Sequence, residues 1–137
     1  MTDRSDDALV AYFSMEIGLD PNMPTYAGGL GVLAGDTIRS AADLEIPMVA
    51  VTLLHRRGYF YQRLDEQGWQ REEPVAWPIN DYCKPVSQQV TVEIEGRAVR
   101  VGAWQFCVRG ESGNEVAVYL LDEENPEQPV LRAFELT

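Results

Sequence analysis

Residues Tyr26-Ala27-Gly28-Gly29-Leu30-Gly31-Val32-Leu33-Ala34-Gly35-Asp36 make a glycine-rich turn that runs straight into a helical pattern. Residues without side chains let backbone N–H groups approach a ligand, and the first turn of a helix carries unpaired donors and a partial positive charge. Such a turn suits an anion such as phosphate, or it permits close packing of helix on strand. Spacing alone leaves both readings open. From Leu30 to Leu44 the apolar residues Leu30, Leu33, Ala34, Ile38, Ala41 and Leu44 recur every three or four positions, with Asp36, Arg39, Ser40 and Asp43 between them. This predicts an amphipathic helix.

The flanking segments extend the pattern. Ala8 to Phe13 is a continuous apolar run, which predicts a strand buried on both faces. A loop, Ser14 to Ala27, follows with Gly18, Pro21 and Pro24, and Pro47 opens a second apolar strand over Met48 to Leu54. Residues 8–57 therefore predict a strand–loop–helix–strand unit with a parallel pair and a right-handed crossover, which is an α/β fold. Residues 58–125 change character and predict a β-meander: Gly58 to Leu64, a Gly68-Trp69 turn, Val90 to Glu95, Val99 to Val108 and Glu115 to Leu121, with turns at Glu95-Gly96-Arg97 and Gly110 to Asn114.

Composition narrows the partners. The 137 residues carry a formal net charge of -11, which argues against a nucleic-acid backbone. No signal peptide follows the acidic amino terminus, and the apolar run Ile46 to Leu54 is too short for a bilayer. A soluble, cytoplasmic protein with no membrane partner is expected. Cys83 and Cys107 have no metal-site spacing and are expected as reduced thiols. His55 is the only histidine, so no histidine triad or histidine-rich metal site can be assembled.

Gly29-Leu30-Gly31-Val32-Leu33-Ala34 satisfies G-x-G-x-x-A, but a dinucleotide fold wants those glycines directly after the first strand and an acid at the end of the second. Here a two-proline loop intervenes and His55-Arg56-Arg57 stands where the acid belongs. No Lys-Ser/Thr follows, so a Walker loop fails. Glu16 sits just past the first strand, where open α/β sheets place ligand contacts, although a solvated loop carboxylate is the simpler account. Asp36 suits a cap or a salt bridge. Arg56 and Arg57 suit an anion or solvent. Trp69, Trp77, Tyr59, Phe60 and Tyr61 suit core packing or sugar stacking, with core the commoner use. Lys84, the only lysine, precedes Pro85 and is expected in a turn.

Taken in order, Tyr12-Phe13-Ser14-Met15-Glu16, the turn of residues 26–36, Ala42-Asp43-Leu44 with Pro47-Met48-Val49, Arg57 to Gln62, Gly68-Trp69-Gln70 with Glu72, and Tyr119-Leu120-Leu121-Asp122 resemble the α-glucan phosphorylases. The resemblance covers nearly the whole chain and is nearest to the shorter bacterial and archaeal type. It implies a Rossmann-like amino-terminal part of a two-domain (GT-B type) glycosyltransferase with an antiparallel β extension. It also implies glycogen, starch or maltodextrin phosphorolysis to glucose 1-phosphate, with pyridoxal phosphate as cofactor. Gly28, Gly29, Leu30 and Gly31 fall on the family's substrate- and phosphate-binding glycine loop, and Glu16 on its supporting acid. Ala27 stands where glycogen-degrading members carry Asn, and Gly18 where they carry an aromatic near the cofactor. The family's Schiff-base lysine and cationic phosphate ligands belong to a half that this sequence lacks, and Lys84 matches none of them. The expectation is an incomplete amino-terminal fragment, inactive alone, that self-associates through surface left uncovered. Two alternatives stand beside it: a non-catalytic glucan-binding module, and a glycogen or starch synthase-type domain, which usually has Lys before its Gly-Gly-Leu turn.

Overall fold

A computed structural model describes residues 8–56, 61–73 and 76–123. In chain order the elements are β1 (Val10–Phe13), α1 (Gly29–Asp43), β2 (Met48–Leu53), β3 (Tyr61–Leu64), β4 (Gln70–Glu73), α2 (Ile79–Tyr82), β5 (Lys84–Pro85), β6 (Val90–Ile94), β7 (Arg97–Arg109) and β8 (Glu115–Glu123). The architecture is mixed α/β, as expected. β1 pairs parallel with β2, and β2 pairs parallel with β8. β8 then turns back antiparallel along β7, which also carries β5 and β6. The strand order is β1-β2-β8-β7-β5, with β6 on β7, while β3 and β4 form a separate two-stranded sheet. The antiparallel strands are thus an extension of the parallel pair, inserted through β8 beside β2. β4, α2 and β5 were not expected from sequence; Lys84 lies in β5 opposite Gln105 and not in a turn.

Strand alternation splits the large sheet into unlike faces. Ala50, Val116, Val118 and Leu120 point under α1 and are sealed from solvent, with Ile38, Ala41 and Ala42 of the helix above them. The alternate residues Val49, Val51, Leu53, Tyr119 and Leu121 are only half-buried, and Phe13 beside them is 73% exposed. A parallel sheet is normally covered on both sides, and among the described residues only one helical layer is present. The expectation that β1 is buried on both faces is therefore corrected: β1 is an edge strand, largely exposed.

α1 forms where predicted and buries Ala34, Ile38 and Ala41 of the expected stripe, but not its leucines. Its inward residues are Gly31, Ala34, Gly35, Ile38, Ala41 and Ala42, whereas Leu30, Leu33 and Leu44 are 60%, 61% and 71% exposed. Close approach decides this. A Cβ on Gly35 would lie 2.2 Å from the Gly18 carbonyl oxygen, and one on Gly110, in the β7–β8 turn, 2.4 Å from the Ala42 carbonyl oxygen. Only small residues fit such contacts, so the leucines are displaced outward. The β7–β8 turn also ties down the end of the helix: the Glu111 amide donates to Asp43 Oδ1 (2.8 Å) and Asn114 Nδ2 to the Ala42 carbonyl (3.3 Å).

Candidate functional site

The glycine turn lies where the Ser14–Ala27 loop meets α1, and that loop is firmly built. Ile17, Met23 and Thr25 are buried, the Ile17 amide donates to the Thr25 carbonyl (3.1 Å), and the Thr25 hydroxyl returns a bond to the Ile17 carbonyl. The Gly18 amide donates to the Gly31 carbonyl at 2.9 Å. Arg39, one face around the helix, reaches back so that Nη2 donates to the Gly18 and Leu19 carbonyls, both at 2.9 Å. Asp36 is exposed and pairs with Arg39 at 3.5 Å, one helical turn apart.

The four turn residues have unequal surroundings. Gly31 is buried beneath Tyr26, whose Cβ would lie 2.3 Å from an added Cβ, and its amide donates to the Gly28 carbonyl (3.1 Å). Gly28 and Gly29 face open space, with nothing within 4 Å of an added Cβ, and Leu30 is exposed. Gly28 is the N-cap; no side chain caps the helix, and its first turn holds no acid. Among the described residues no hydrogen bond to the Gly29 or Leu30 amide forms. Two donors at the positive end of a 15-residue helix therefore face outward.

Glu16 sits beside this turn. Its Oε2 accepts the Ala27 amide at 2.7 Å, the last amide before the glycines, and the Ser14 hydroxyl donates to the Glu16 carbonyl at 2.7 Å. Glu16 thus fixes the approach of the turn rather than standing free in solvent. Next to it, Phe13, Ser14, Met15, Val51, Thr52, Leu53 and Leu121 line an open apolar hollow of about 260 Å³. It lies at the carboxyl ends of β1 and β2, the place where open α/β sheets bind ligands.

His55 is buried, where a strand-end position predicts partial exposure. Its Nε2 lies 3.2 Å from the Met15 carbonyl, which can only accept, so this nitrogen carries a proton. The His55 carbonyl accepts the Trp77 indole N–H at 2.9 Å, and Trp77 is core. Trp69 is exposed; Arg57, Tyr59 and Phe60 lie outside the described residues, as does the side chain of Tyr61. Arg56 is spent on Asp122: both oxygens of that carboxylate take guanidinium hydrogen bonds, which hold the Arg56 pKa above its ordinary value. Trp104 Nε1 donates to the same carboxylate at 3.1 Å. Sequence patterning could not pair Arg56 with Asp122, because strand order brings them together across 66 positions. Cys83 and Cys107 are free thiols, and no group of potential metal ligands assembles among the described residues. No described helix is long and apolar enough to cross a membrane.

Comparison with known proteins bears out the resemblance drawn from motifs. The chain is 38% identical over 126 residues to a glycogen phosphorylase of Mycobacterium tuberculosis, and 38% over 125 residues to a maltodextrin phosphorylase of Thermococcus litoralis. A glycogen phosphorylase of Aquifex aeolicus is 30% identical over 126 residues. These alignments take in 85–86% of the chain, but it spans only 14% of the first two relatives and 18% of the third. No protein-family model matches the chain.

Proposed function

We propose, from this kinship with glycogen and maltodextrin phosphorylases, that the chain is the amino-terminal part of an α-1,4-glucan phosphorylase and supplies one wall of its substrate cleft. The observation that carries the reading is the uncapped start of α1. The Gly29 and Leu30 amides face outward at the start of α1, and a separate apolar hollow lies at the ends of β1 and β2. In this reading the amides hold a phosphate oxygen, and Gly28 and Gly29 let it come close. Gly31 anchors the turn on Tyr26. Glu16 is a positioning residue that holds Ala27, with its second carboxylate oxygen turned to a sugar hydroxyl.

Phosphorolysis also needs cations opposite the phosphate, and among the described residues none is free at the turn. Arg39 is committed to Asp36 and two carbonyls. Pyridoxal phosphate, the cofactor implied for full-length relatives, requires a lysine for its attachment. Lys84 does not fit: it lies on β5, at the opposite edge of the sheet from β1. No step is therefore assigned to that cofactor here. The half-covered sheet face and the small share of each relative that is spanned both support an incomplete cleft.

The test is to mix the purified chain with maltoheptaose, inorganic phosphate and pyridoxal phosphate. No glucose 1-phosphate is expected, and sustained formation would refute incompleteness. In ¹⁵N NMR, inorganic phosphate with maltotriose should shift the Gly29 and Leu30 amide peaks. Unmoved peaks would remove the glycine-turn assignment, whereas shifts with sugar that ignore phosphate would favour a non-catalytic glucan-binding module.

A further inference from the structure

A chain of hydrogen bonds joins the end of β2 to the glycine turn, and it starts at His55, a side chain to which the proposed chemistry gives no part. His55 is 7% exposed, and its backbone is held from three sides. The Leu54 amide before it donates to the Leu121 carbonyl (2.8 Å), its own carbonyl takes the Trp77 indole N–H (2.9 Å), and Arg56 after it is clamped on Asp122. A side chain on so firm a base can hold another segment in place. Its Nε2–H donates to the Met15 carbonyl at 3.2 Å, across 40 positions of sequence.

Met15 directly precedes Glu16. Met15 is 56% exposed, so burial of its side chain does not fix this stretch; hydrogen bonds do. The Ser14 amide donates to the Val51 carbonyl (3.1 Å), His55 holds the Met15 carbonyl, and the Ser14 hydroxyl donates to the Glu16 carbonyl (2.7 Å). Three consecutive residues are thus tied down just where the Glu16 side chain leaves the backbone. Its Oε2 accepts the Ala27 amide at 2.7 Å, and Ala27 is followed by Gly28, the N-cap of α1. We infer that His55 is a positioning residue for the glycine turn: by holding the Met15 carbonyl it sets the direction of Glu16, whose carboxylate holds Ala27 and so aims the Gly29 and Leu30 amides. A shift of about 1 Å in the Glu16 backbone would stretch its contact with Ala27 beyond hydrogen-bond range. The residue type agrees with this role. A buried imidazole loses its hydration, a cost that an apolar side chain would not incur, and the bond to Met15 offsets it.

The linkage rests on the hydrogen bonds; its consequence for phosphate rests on the phosphorylase reading. The experiment is ¹⁵N NMR of the full chain. In the parent, the His55 Nε2 resonance should be that of a protonated ring nitrogen, and an unprotonated Nε2 overturns the inference without any substitution. His55→Leu should move the Glu16 amide peak, which follows the Met15 carbonyl. It should also speed hydrogen exchange at Ala27 about three- to tenfold, the worth of one hydrogen bond, while exchange in β7 and β8 keeps the parent rate. His55→Gln, whose side-chain amide has the same reach, should keep Ala27 within about twofold of the parent. Glu16→Ala should speed Ala27 exchange by itself, and adding His55→Leu should change nothing further, because the two residues act in series. Parent-like Ala27 exchange in His55→Leu, fast exchange in His55→Gln, or additive effects in the double variant overturn the inference. The parent ring nitrogen and His55→Gln carry the test if His55→Leu does not fold. The two readings fail separately. If Ala27 responds as expected while the Gly29 and Leu30 amides ignore phosphate with maltotriose, His55 positions the turn and the phosphate site falls. If those amides take phosphate with equal affinity in the parent and in His55→Leu, the phosphate site stands and the role of His55 falls.

Discussion

Replacing Gly35 with alanine isolates what the glycines do for packing. In an exposed helix interior the change would stabilise by about 1 kcal/mol, because glycine has more backbone entropy to lose. At this position the new methyl would sit 2.2 Å from the Gly18 carbonyl oxygen, where ordinary contact begins at 3.4 Å, so one of them must move by about 1.2 Å. The oxygen is not free to yield, since Arg39 Nη2 holds it and the neighbouring Leu19 carbonyl at 2.9 Å. Overpacking of this kind costs about 1–3 kcal/mol, and loss of the Arg39 bonds adds about 1 kcal/mol or more. After the helix gain is subtracted, Gly35→Ala should lose about 2 kcal/mol, which for a domain of this size is roughly 5–10 °C in thermal midpoint. Gly29→Ala is the matched control: its added Cβ meets nothing within 4 Å, so stability should stay within about 0.5 kcal/mol of the parent. Urea unfolding followed by far-UV circular dichroism measures both. A Gly35→Ala midpoint equal to the parent, or an equal loss in Gly29→Ala, would refute the assignment of these two glycines.

Other outcomes can be checked on the same protein. Thr52 is 3% exposed and its hydroxyl has no partner among the described residues, so Thr52→Val should raise stability by about 1 kcal/mol; a fall in the midpoint would mean that the hydroxyl is satisfied after all. The Trp69 amide and then Arg71, with the Gln67 and Gly68 amides, hold the Asp65 carboxyl below the usual carboxylate range. Its contribution to the β3–β4 turn is therefore present above the unfolded value, about 3.9, and lost as pH falls through the lower folded one. The Trp69 amide shift followed against pH should show a midpoint below 3.9, and one at or above that value contradicts the bonding. Burial pushes the Cys83 thiol up to about 11 while Cys107 is exposed, so at pH 8 a disulfide reagent should titrate a single thiol quickly and the second only after unfolding; two fast equivalents would be inconsistent. The half-covered sheet face, with Phe13 at 73% exposure, should drive concentration-dependent self-association that Phe13→Glu reduces. A monomer in light scattering at high concentration, without binding of apolar dye, argues against it.

Much of the fold is legible in residue order because the signals are local. The apolar runs, the helical period from Leu30 and the turns at Gly96 and Gly110–Asn114 each specify an element within a few positions, and each appears close to its expected place. What escaped was non-local. Periodicity gave the helix but assigned its face by residue size, whereas Gly18 and Gly110 press so near the helix that Gly31, Ala34, Gly35 and Ala42 must be the inward residues. The apolar run of β1 pointed to two covered faces, yet one face has no cover among the described residues. The association of Arg56, Trp104 and Asp122 gave no signal, because only strand order brings them together. For the site, sequence supplied the turn and Glu16. It could not separate glycines that anchor from glycines that open, since both look the same until their neighbours are placed.

That separation changes how the turn is understood. Ligand binding and tight packing compete as explanations only if every glycine must serve the same end. Here Gly31 and Gly35 have no room for a side chain, because Tyr26 and the Gly18 carbonyl fill the space. Their contact pins the loop against the first two turns of α1 and fixes the direction of the helix axis. With the axis fixed, Gly28 and Gly29 come at the solvent end of the same rigid body, where nothing caps the helix. A flexible turn could fold over and satisfy its own amides, or meet a ligand only after losing conformational entropy. A turn anchored from beneath keeps its donors aimed outward before any ligand arrives, and that preorganisation lowers the cost of binding. On the proposed function, the buried glycines are therefore part of the binding device, although they touch no ligand.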